Sequence, residues 1–418
     1  MRRQRATVLA TFFSQGAMFA SWAAHIPEVK LRIGVSDGLL GTILLATPVG
    51  AAVAMLITGR LLTRFGSERL IRPCMIGYCV AAVLVGETRS AWALAAVLLA
   101  WGAFGGSLDV SVNTQAVAVE HAQQRRLMPL FHGGWSIGAL TGAGTGSAAV
   151  ALHISLVAQM LVMAIPVLVA NQLLSRAMLD DRADRADRAD ARADAPTGEP
   201  LRRRIQIPRA VLFLGLIALA TMLCEGAALD WSAVYIRGLQ HGSAGISGLG
   251  YVAFAVAMAS VRVGGSKLLD RIPARRFLPG LAALATVAVA AALASGHAWA
   301  AIVGFGCLGA GTGLVIPTVF TAAGRITGLA PGGAITAVSA CGWIGYMGGP
   351  PLIGQLAQLG SLRSALLIIP AFTVLIALGA ARLTATTQAT TPPETQATTP
   401  PETQATTPPA APPEPELR

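Results

Sequence analysis

Apolar blocks of about 20 residues recur along most of this 418-residue chain, and no other feature limits its possible folds as strongly. Inside a bilayer, backbone amide and carbonyl groups must be hydrogen-bonded within the chain, so a block of this length is typical of a transmembrane helix. Charged residues make up only 12% of the chain, too few to cover a soluble protein of this size. The blocks predict an all-α membrane protein with twelve spans, near residues 7–25, 39–58, 71–86, 91–117, 128–149, 153–175, 210–235, 243–264, 276–295, 298–322, 331–356 and 361–381.

The distribution of basic residues predicts the orientation of these spans. Lys and Arg gather on the cytoplasmic side of a membrane, and a cytoplasmic N-terminus puts all but five of the 31 basic residues on that side. In this placement Arg262 belongs to the inner loop after span eight. Both termini are therefore expected in the cytoplasm. The net charge of +11 then follows from topology, with anionic lipid as its counterpart, and we expect no nucleic-acid partner.

Similar residues recur at a nearly constant separation in the two parts of the chain. The matched pairs are Trp22 with Trp231, Arg64 with Arg271, Gly102 with Gly309, and Trp135 with Trp343. Their separations lie between 207 and 209 positions. Several matches at one offset predict two homologous six-helix bundles with the same orientation in the membrane.

This repeat predicts four parts of the chain. Residues 1–175 and 209–382 are expected to form the two six-helix bundles. Residues 176–208 alternate acidic and basic side chains with little that is apolar, which predicts a solvated cytoplasmic linker. Residues 383–418 are rich in Pro and Thr, which predicts a disordered cytoplasmic tail.

Two six-helix halves joined by a charged loop resemble the major facilitator superfamily. Residues 59–69, after span two, are similar to the superfamily's loop motif, with Thr63 where aspartate is usual. The second half keeps an Asp-Arg pair after span eight. The resemblance implies that these two loops gate the inner face, and the gating residues it suggests are Gly59, Arg64, Gly66, Asp270 and Arg271.

Three further stretches, residues 109–120, 131–138 and 225–232, resemble the fucose-permease-like branch of this superfamily and most closely its YbjJ-like bacterial permeases. This resemblance implies a proton-linked secondary transporter in the bacterial inner membrane, and we expect a monomer. It implies no particular substrate.

Asp109 and Asn113 lie four residues apart in span four and share one face of the predicted helix. An ionisable group inside a span costs about 2.5–3.5 kcal/mol to insert and usually serves a function. Asp109 lies about 27 Å from the start of its span, toward the inner half of the membrane. Asp109 is therefore a candidate for proton coupling, and Asn113 is a candidate for lining the solute path. An ion pair between Asp109 and a cytoplasmic arginine, Arg64 or Arg69, is the alternative interpretation.

Glu225 lies about 24 Å into span seven and is the second candidate for proton coupling. A carboxylate inside the membrane can bind and release a proton during a transport cycle. A hydrogen bond between packed helices is the alternative role. Asp230, five residues further on, is expected to point elsewhere and to be solvated at the outer mouth.

His132 and Ser136, four residues apart in span five, and the intervening Trp135 are candidates for lining the solute path. Histidine titrates near neutral pH, so His132 could also relay protons. A capping contact near the cytoplasmic end of the span is the alternative for His132. Trp343, the counterpart of Trp135 in the second half, is a further candidate because indole offers a stacking surface for a solute.

Four glycines, Gly134, Gly138, Gly142 and Gly146, form a stripe with a spacing of four residues along span five. Small residues at this spacing let two helices approach closely. We expect this seam to let one bundle rock against the other.

The chain contains no His-Glu-x-x-His motif, no phosphate-binding Gly-x-x-x-x-Gly-Lys-Ser/Thr loop and no paired CxxC. We therefore expect no enzyme, no cofactor and no metal, and a solute or ion gradient as the energy source. The sequence predicts a secondary transporter that moves a small solute, sugar-like or another small metabolite, by alternating access. Drug or metabolite efflux by proton antiport, a lipid flippase, and a non-transporting sensor of the same fold are the alternatives.

Overall fold

The computed structural model describes residues 2–125, 127–179, 208–269, 274–324, 326 and 333–389, and nearly all of them are helical. The long helices of the first half are α1 (Arg2–Ser21), α2 (Asp37–Phe65), α3 (Ser67–Glu87), α4 (Ala91–Gln123), α5 (Met128–Ala151) and α6 (Leu156–Leu174). Two short helices, Ala23–His25 and Ile26–Ile33, connect α1 to α2.

The second half repeats this order. Its long helices are α7 (Arg209–Arg237), α8 (Leu249–Leu269), α9 (Ala274–Ser295), α10 (Ala298–Ala323), α11 (Gly333–Leu359) and α12 (Ile368–Ala389). Each predicted span coincides with one of these helices, which confirms the two six-helix bundles. We call the end formed by the connections α1–α2, α3–α4 and their counterparts the outer end, following the orientation predicted from Lys and Arg.

Among the described residues, nine helices are long and apolar enough to cross a membrane by length and composition alone. The other three are α1, α5 and α11, which contain more glycine and polar residues. At the outer end, serine hydroxyls accept hydrogen bonds from backbone amides three residues on and so cap the helices. These caps are Ser36 for α2, Ser90 for α4 and Ser155 for α6.

The end of α12 differs from the predicted tail boundary. The helix continues to Ala389, beyond residue 383, where the sequence predicts that the tail begins. The Ala, Thr and Gln residues in between can remain helical, and Pro392 is the first residue that cannot. Most of the predicted linker and tail, residues 180–207 and 390–418, lies outside the described residues, so the four-part division stays a prediction.

Glycines bring neighbouring helices of each half into backbone contact. A Cβ atom on any of them would meet a carbonyl group of the partner helix. In the first half these contacts join α5 to α1 (Gly138 to Phe13, Gly142 to Ala17) and α4 to α2 (Gly102 to Thr47, Gly106 to Ala51). In the second half they join α11 to α7 (Gly345 to Leu219, Gly349 to Leu223) and α10 to α8 (Gly309 to Phe254, Gly313 to Met258).

The contacting residues of the two halves are related by one offset. Each of the six second-half residues on α8, α10 and α11 lies 207 positions after its first-half counterpart, and the two on α7 lie 206 positions after theirs. The repeat seen in the sequence is therefore a repeat of packing contacts. The prediction that the α5 stripe lets one bundle rock against the other is wrong, because its partner is α1 of the same bundle. Spacing shows that a face can pack closely, but it does not identify the partner helix.

The principal contacts between the halves, among the described residues, lie at the outer end. The start of α2 packs against the end of α11, where Gly41 meets the backbone of Pro350 and Gly354. Gln358 Nε2 donates to Ser36 Oγ over 2.8 Å at the same place. No helix pair in the described part of the chain makes comparable contact across the inner end. Among the described residues, the two halves are thus joined chiefly at the outer end.

We predict that G142A destabilises the protein and that G144A does not. The added methyl group on Gly142 overlaps the Ala17 carbonyl, so α1 and α5 must separate, at a cost of about 1–3 kcal/mol. The same change at Gly144, which has open space around its Cβ position, should be neutral or stabilising by up to about 1 kcal/mol. Reversible unfolding in mixed micelles, titrated with SDS, measures the change in the free energy of unfolding for both variants. Equal effects would contradict the backbone contact between α1 and α5.

Candidate functional site

On the first half, α4 and α5 bring three of the predicted site residues together. Asn113 Nδ2 donates to the backbone oxygen of Asp109 over 2.9 Å and to its Oδ1 over 3.2 Å. His132 interacts electrostatically with the Asp109 carboxylate across the two helices. These contacts group a carboxylate, an amide and an imidazole toward the inner part of the first half.

The alternative role for Asp109, an ion pair with a cytoplasmic arginine, finds no support among the described residues. The Arg69 side chain pairs with Glu68 over 3.5 Å. Arg64 lies over the ring of Phe65, 5.2 Å from its centroid. Among the described residues, the Asp109 carboxylate interacts instead with Asn113 and His132.

Two residues that sequence reasoning missed, Tyr78 and Gln15, connect neighbouring helices to the helix that carries Asp109. Tyr78 of α3 donates from its hydroxyl to the Gln15 backbone oxygen over 3.2 Å. Gln15 Nε2 in turn donates to the Gly105 carbonyl over 3.2 Å, one turn before Asp109. Polar side chains in apolar helices were the signal that could have identified them. They tie α1 and α3 to the helix that carries the carboxylate.

On the second half, Glu225 of α7 forms an ion pair with Arg262 of α8, with 3.6 Å between Oε1 and Nη2. Arg262 Nε also donates to the Gly313 carbonyl over 2.9 Å. That carbonyl is available because α10 is interrupted between Thr312 and Val315. Arg262 is thus fixed between a carboxylate and a free helix carbonyl.

The predicted location of Arg262 in the inner loop is wrong. Arg262 lies within α8, about 20 Å below the helix start at Leu249. Its neighbours toward the C-terminus include several basic residues, so the sequence alone did not separate it from the loop. The second half therefore carries a cation beside its carboxylate.

Asp230 is less exposed than the sequence suggested. It is only partly exposed, and both Tyr251 and Tyr346 interact electrostatically with Asp230 and with Glu225. The expectation of a residue solvated at the outer mouth is wrong, because tertiary packing around α7 covers part of this side chain.

The aromatic candidates occupy different environments. Trp135 packs against a small alanine cluster of α1 and α5, which Tyr251 and Val252 of α8 also contact from the other half. Trp343 is half-exposed, and its ring meets the edge of Tyr346 with centroids 5.9 Å apart. Ser136 donates to the His132 carbonyl of its own helix over 3.1 Å. Trp135 and Trp343 thus flank the site, whereas the Ser136 hydroxyl is engaged within α5.

Glu120, from the first of the resemblance motifs, has a structural role. Its Oε2 accepts from the Met128 amide over 2.9 Å and from the Leu127 amide at hydrogen-bond distance. A carboxylate at a helix N-terminus satisfies amides that have no partner within the helix. Glu120 therefore sets the start of α5, on which His132 lies.

Of the predicted gating residues, three are described. Gly66 has a φ of 78°, which favours glycine, and allows the sharp connection from α2 to α3. A Cβ on Gly59 would meet open space, and Arg64 is exposed at the inner end. Asp270 and Arg271 lie outside the described residues.

Twelve long helices among the described residues, arranged in two related halves with ionisable groups inside each, are typical of a polytopic membrane transporter. The chain belongs to the major facilitator superfamily, whose family model matches residues 7–330. It is therefore a transporter and not an enzyme. Multi-pass bacterial relatives indicate the plasma membrane as its location.

Two bacterial relatives cover most of the chain. A major-facilitator-type transporter of Yersinia pestis, itself uncharacterised, is 33% identical over 368 residues, 87% of this chain and 91% of that protein. The membrane protein MosC of Rhizobium meliloti is 30% identical over 370 residues, 88% of this chain and 86% of MosC.

Solved transporters share the fold at low sequence identity. The nucleoside transporter NupG has a TM-score of 0.67 at 10% identity, over 91% of this chain and 98% of NupG. A D-xylose–proton symporter has a TM-score of 0.68 at 14% identity, over 90% of this chain and 96% of the symporter.

We predict that Glu225 and Arg262 stabilise the protein as a coupled pair. E225Q and R262Q should each destabilise it, because either change leaves an uncompensated charge inside the membrane. The double variant should lose less than the sum of the two, with a coupling free energy of about 0.5–3 kcal/mol. SDS-induced unfolding measures the free energy of unfolding of the wild type, the two single variants and the double variant.

The control repeats this comparison of single and double variants with E87Q in place of E225Q. Glu87 is an exposed acid at the end of α3. E87Q and R262Q should be additive to within about 0.5 kcal/mol. Additivity of E225Q with R262Q would show that the ion pair contributes no stability.

Proposed function

We propose that this protein is a secondary active transporter that moves a small, sugar-like solute across the bacterial inner membrane together with a proton. The observation that supports this most directly is the Glu225–Arg262 ion pair, which joins two of the membrane-crossing helices, α7 and α8. A charged pair in this position is expensive to insert and usually serves transport.

Proton coupling at Glu225 would act through this pair. Protonation of the carboxylate removes its attraction for Arg262, and the arginine then keeps only its bond to the Gly313 carbonyl. Protonation would therefore change the forces between α7 and α8. Asp109, hydrogen-bonded to Asn113 and beside His132, is the corresponding candidate in the first half.

Alternating access is supported by the unequal contacts between the halves. The hydrogen bonds of Gln358 and Gln355 with residues at the start of α2 close the outer end. They are few and polar, so they can break and re-form at low cost. Rocking of the two rigid bundles would then expose the central site to each side in turn.

The solute path is proposed to pass Asn113, His132, Trp135 and Trp343, with the Gly59–Gly66 and Asp270–Arg271 loops gating the inner face. A sugar-like solute fits the resemblance to the fucose-permease-like branch. It also fits the fold shared with a D-xylose–proton symporter. We further propose a monomer with both termini in the cytoplasm, as the Lys and Arg distribution predicts.

We predict that solute addition to proteoliposomes changes the internal pH and that D109N or E225Q abolishes this change. A neutral amide cannot bind a proton at either site, so solute movement should become uncoupled from proton movement. A pH-sensitive dye inside the vesicles, read across a panel of sugars, metabolites and drugs, measures the coupling. E87Q, an exposed change outside the site, should retain it.

The direction of the pH change and the dependence on solute distinguish symport from the alternative functions. Alkalinisation of the compartment that the solute enters would indicate antiport and efflux. Dependence on lipid composition without saturation by solute would favour a flippase, and no response to any solute would favour a sensor. Coupled flux that survives both substitutions would exclude Asp109 and Glu225 as the proton sites.

A further inference from the structure

Asp230 has a carboxyl group that no described residue pairs with. Its neighbour Glu225 is paired with Arg262, and the remaining Arg262 contact is with the Gly313 carbonyl. In the part of the chain that the structure describes, no hydrogen bond or ion pair involves the Asp230 carboxylate. Asp230 is therefore an acidic group of this half of the site that has no partner among the described residues.

Two aromatic rings lie on the side of α7 that carries Asp230. Tyr346 lies against Gly226, its Cδ2 atom 3.5 Å from the position a Cβ would take there. Gly226 and Asp230 are one turn apart on α7, so the Tyr346 ring lies on the helix face that carries Asp230. Trp343 meets the edge of Tyr346, and Tyr251 of α8 interacts electrostatically with Asp230.

An unpaired carboxylate beside electron-rich rings is the chemistry that recognises an organic cation. The carboxylate accepts charge-assisted hydrogen bonds from an ammonium group, and the faces of Tyr and Trp attract the same charge. Gly226 marks the place on α7 where the Tyr346 ring comes into van der Waals range of the helix.

We propose that Asp230, with Tyr346 and Trp343, binds a protonated amine on the transported solute. This inference rests on the proposed transport function and adds the substrate class: a small polar solute that carries an ammonium group. Arg262 stays paired with Glu225 while the solute is bound, so the cation binds to Asp230 alone. The arrangement disfavours a solute with a carboxylate, which Asp230 would repel.

The test uses three hexoses of the same size and different charge: glucosamine, glucose and glucuronate. Binding to the full-length protein in detergent is followed by tryptophan fluorescence, since Trp343 lies beside the site. Glucosamine should bind more tightly than glucose by roughly tenfold or more, because it gains one ionic hydrogen bond. Glucuronate should bind most weakly.

Variants at Asp230 separate a binding role from a structural one. D230N should reduce the glucosamine preference to that of glucose, whereas D230E, which keeps the charge, should retain part of it. E87Q is the matched control for loss of one acidic charge. Thermal unfolding of each variant, measured alongside, shows whether it is folded.

Several results would overturn the proposal. They are equal binding of the three hexoses, preference for glucuronate, failure of glucosamine to bind, and a glucosamine preference that survives in folded D230N. Proton-coupled flux of a neutral solute in proteoliposomes, combined with any of these, would leave the transporter function intact and remove only the cation site.

Discussion

Close approach of helix backbones through glycine is the constraint on which the rest of this structure depends. Lipid chains are as apolar as leucine, so helices inside a membrane gain little from burying apolar side chains against each other. They are held by packing at short distance, which glycine permits. In this protein the pairs α1–α5, α2–α4, α7–α11 and α8–α10 all use such contacts, and the two halves use equivalent positions.

The same glycines position the site chemistry. Gly313 joins α10 to α8 where α10 is interrupted, and its carbonyl accepts the hydrogen bond of Arg262. Tyr346 of α11 lies beside α7 at Gly226, between Glu225 and Asp230 in the chain. A polar group inside the membrane needs a partner nearby, and closely packed helices bring such partners within reach. Packing within each half and the charges between the halves are therefore parts of one arrangement.

Hydropathy was sufficient to predict the twelve helices, because a span must be apolar over a fixed length, and residues matched at a nearly constant separation were sufficient to predict the repeat. It also identified Asp109 and Glu225, since charges are rare within spans. Arg262 was missed because basic residues follow it closely, and a helix end cannot be located to within a turn from composition. Tyr346 and Tyr251 were missed because tyrosine is common in membrane helices for other reasons. The partner of the α5 glycine stripe and the surroundings of Asp230 depend on tertiary contacts, which spacing does not specify.

The central claim is that two rigid bundles rock about a site between them. Distances between spin labels at exposed positions test it most directly. The first pair, Leu31 with Leu359, spans the halves at the outer end. The second pair, Gln124 with Arg276, spans them at the inner end. The third pair, Trp92 with Leu152, lies within the first half. When solute and a proton gradient are applied, we predict that the outer distance lengthens, the inner distance shortens and the third stays constant. A change in the third distance, or outer and inner distances that move together, would contradict the account.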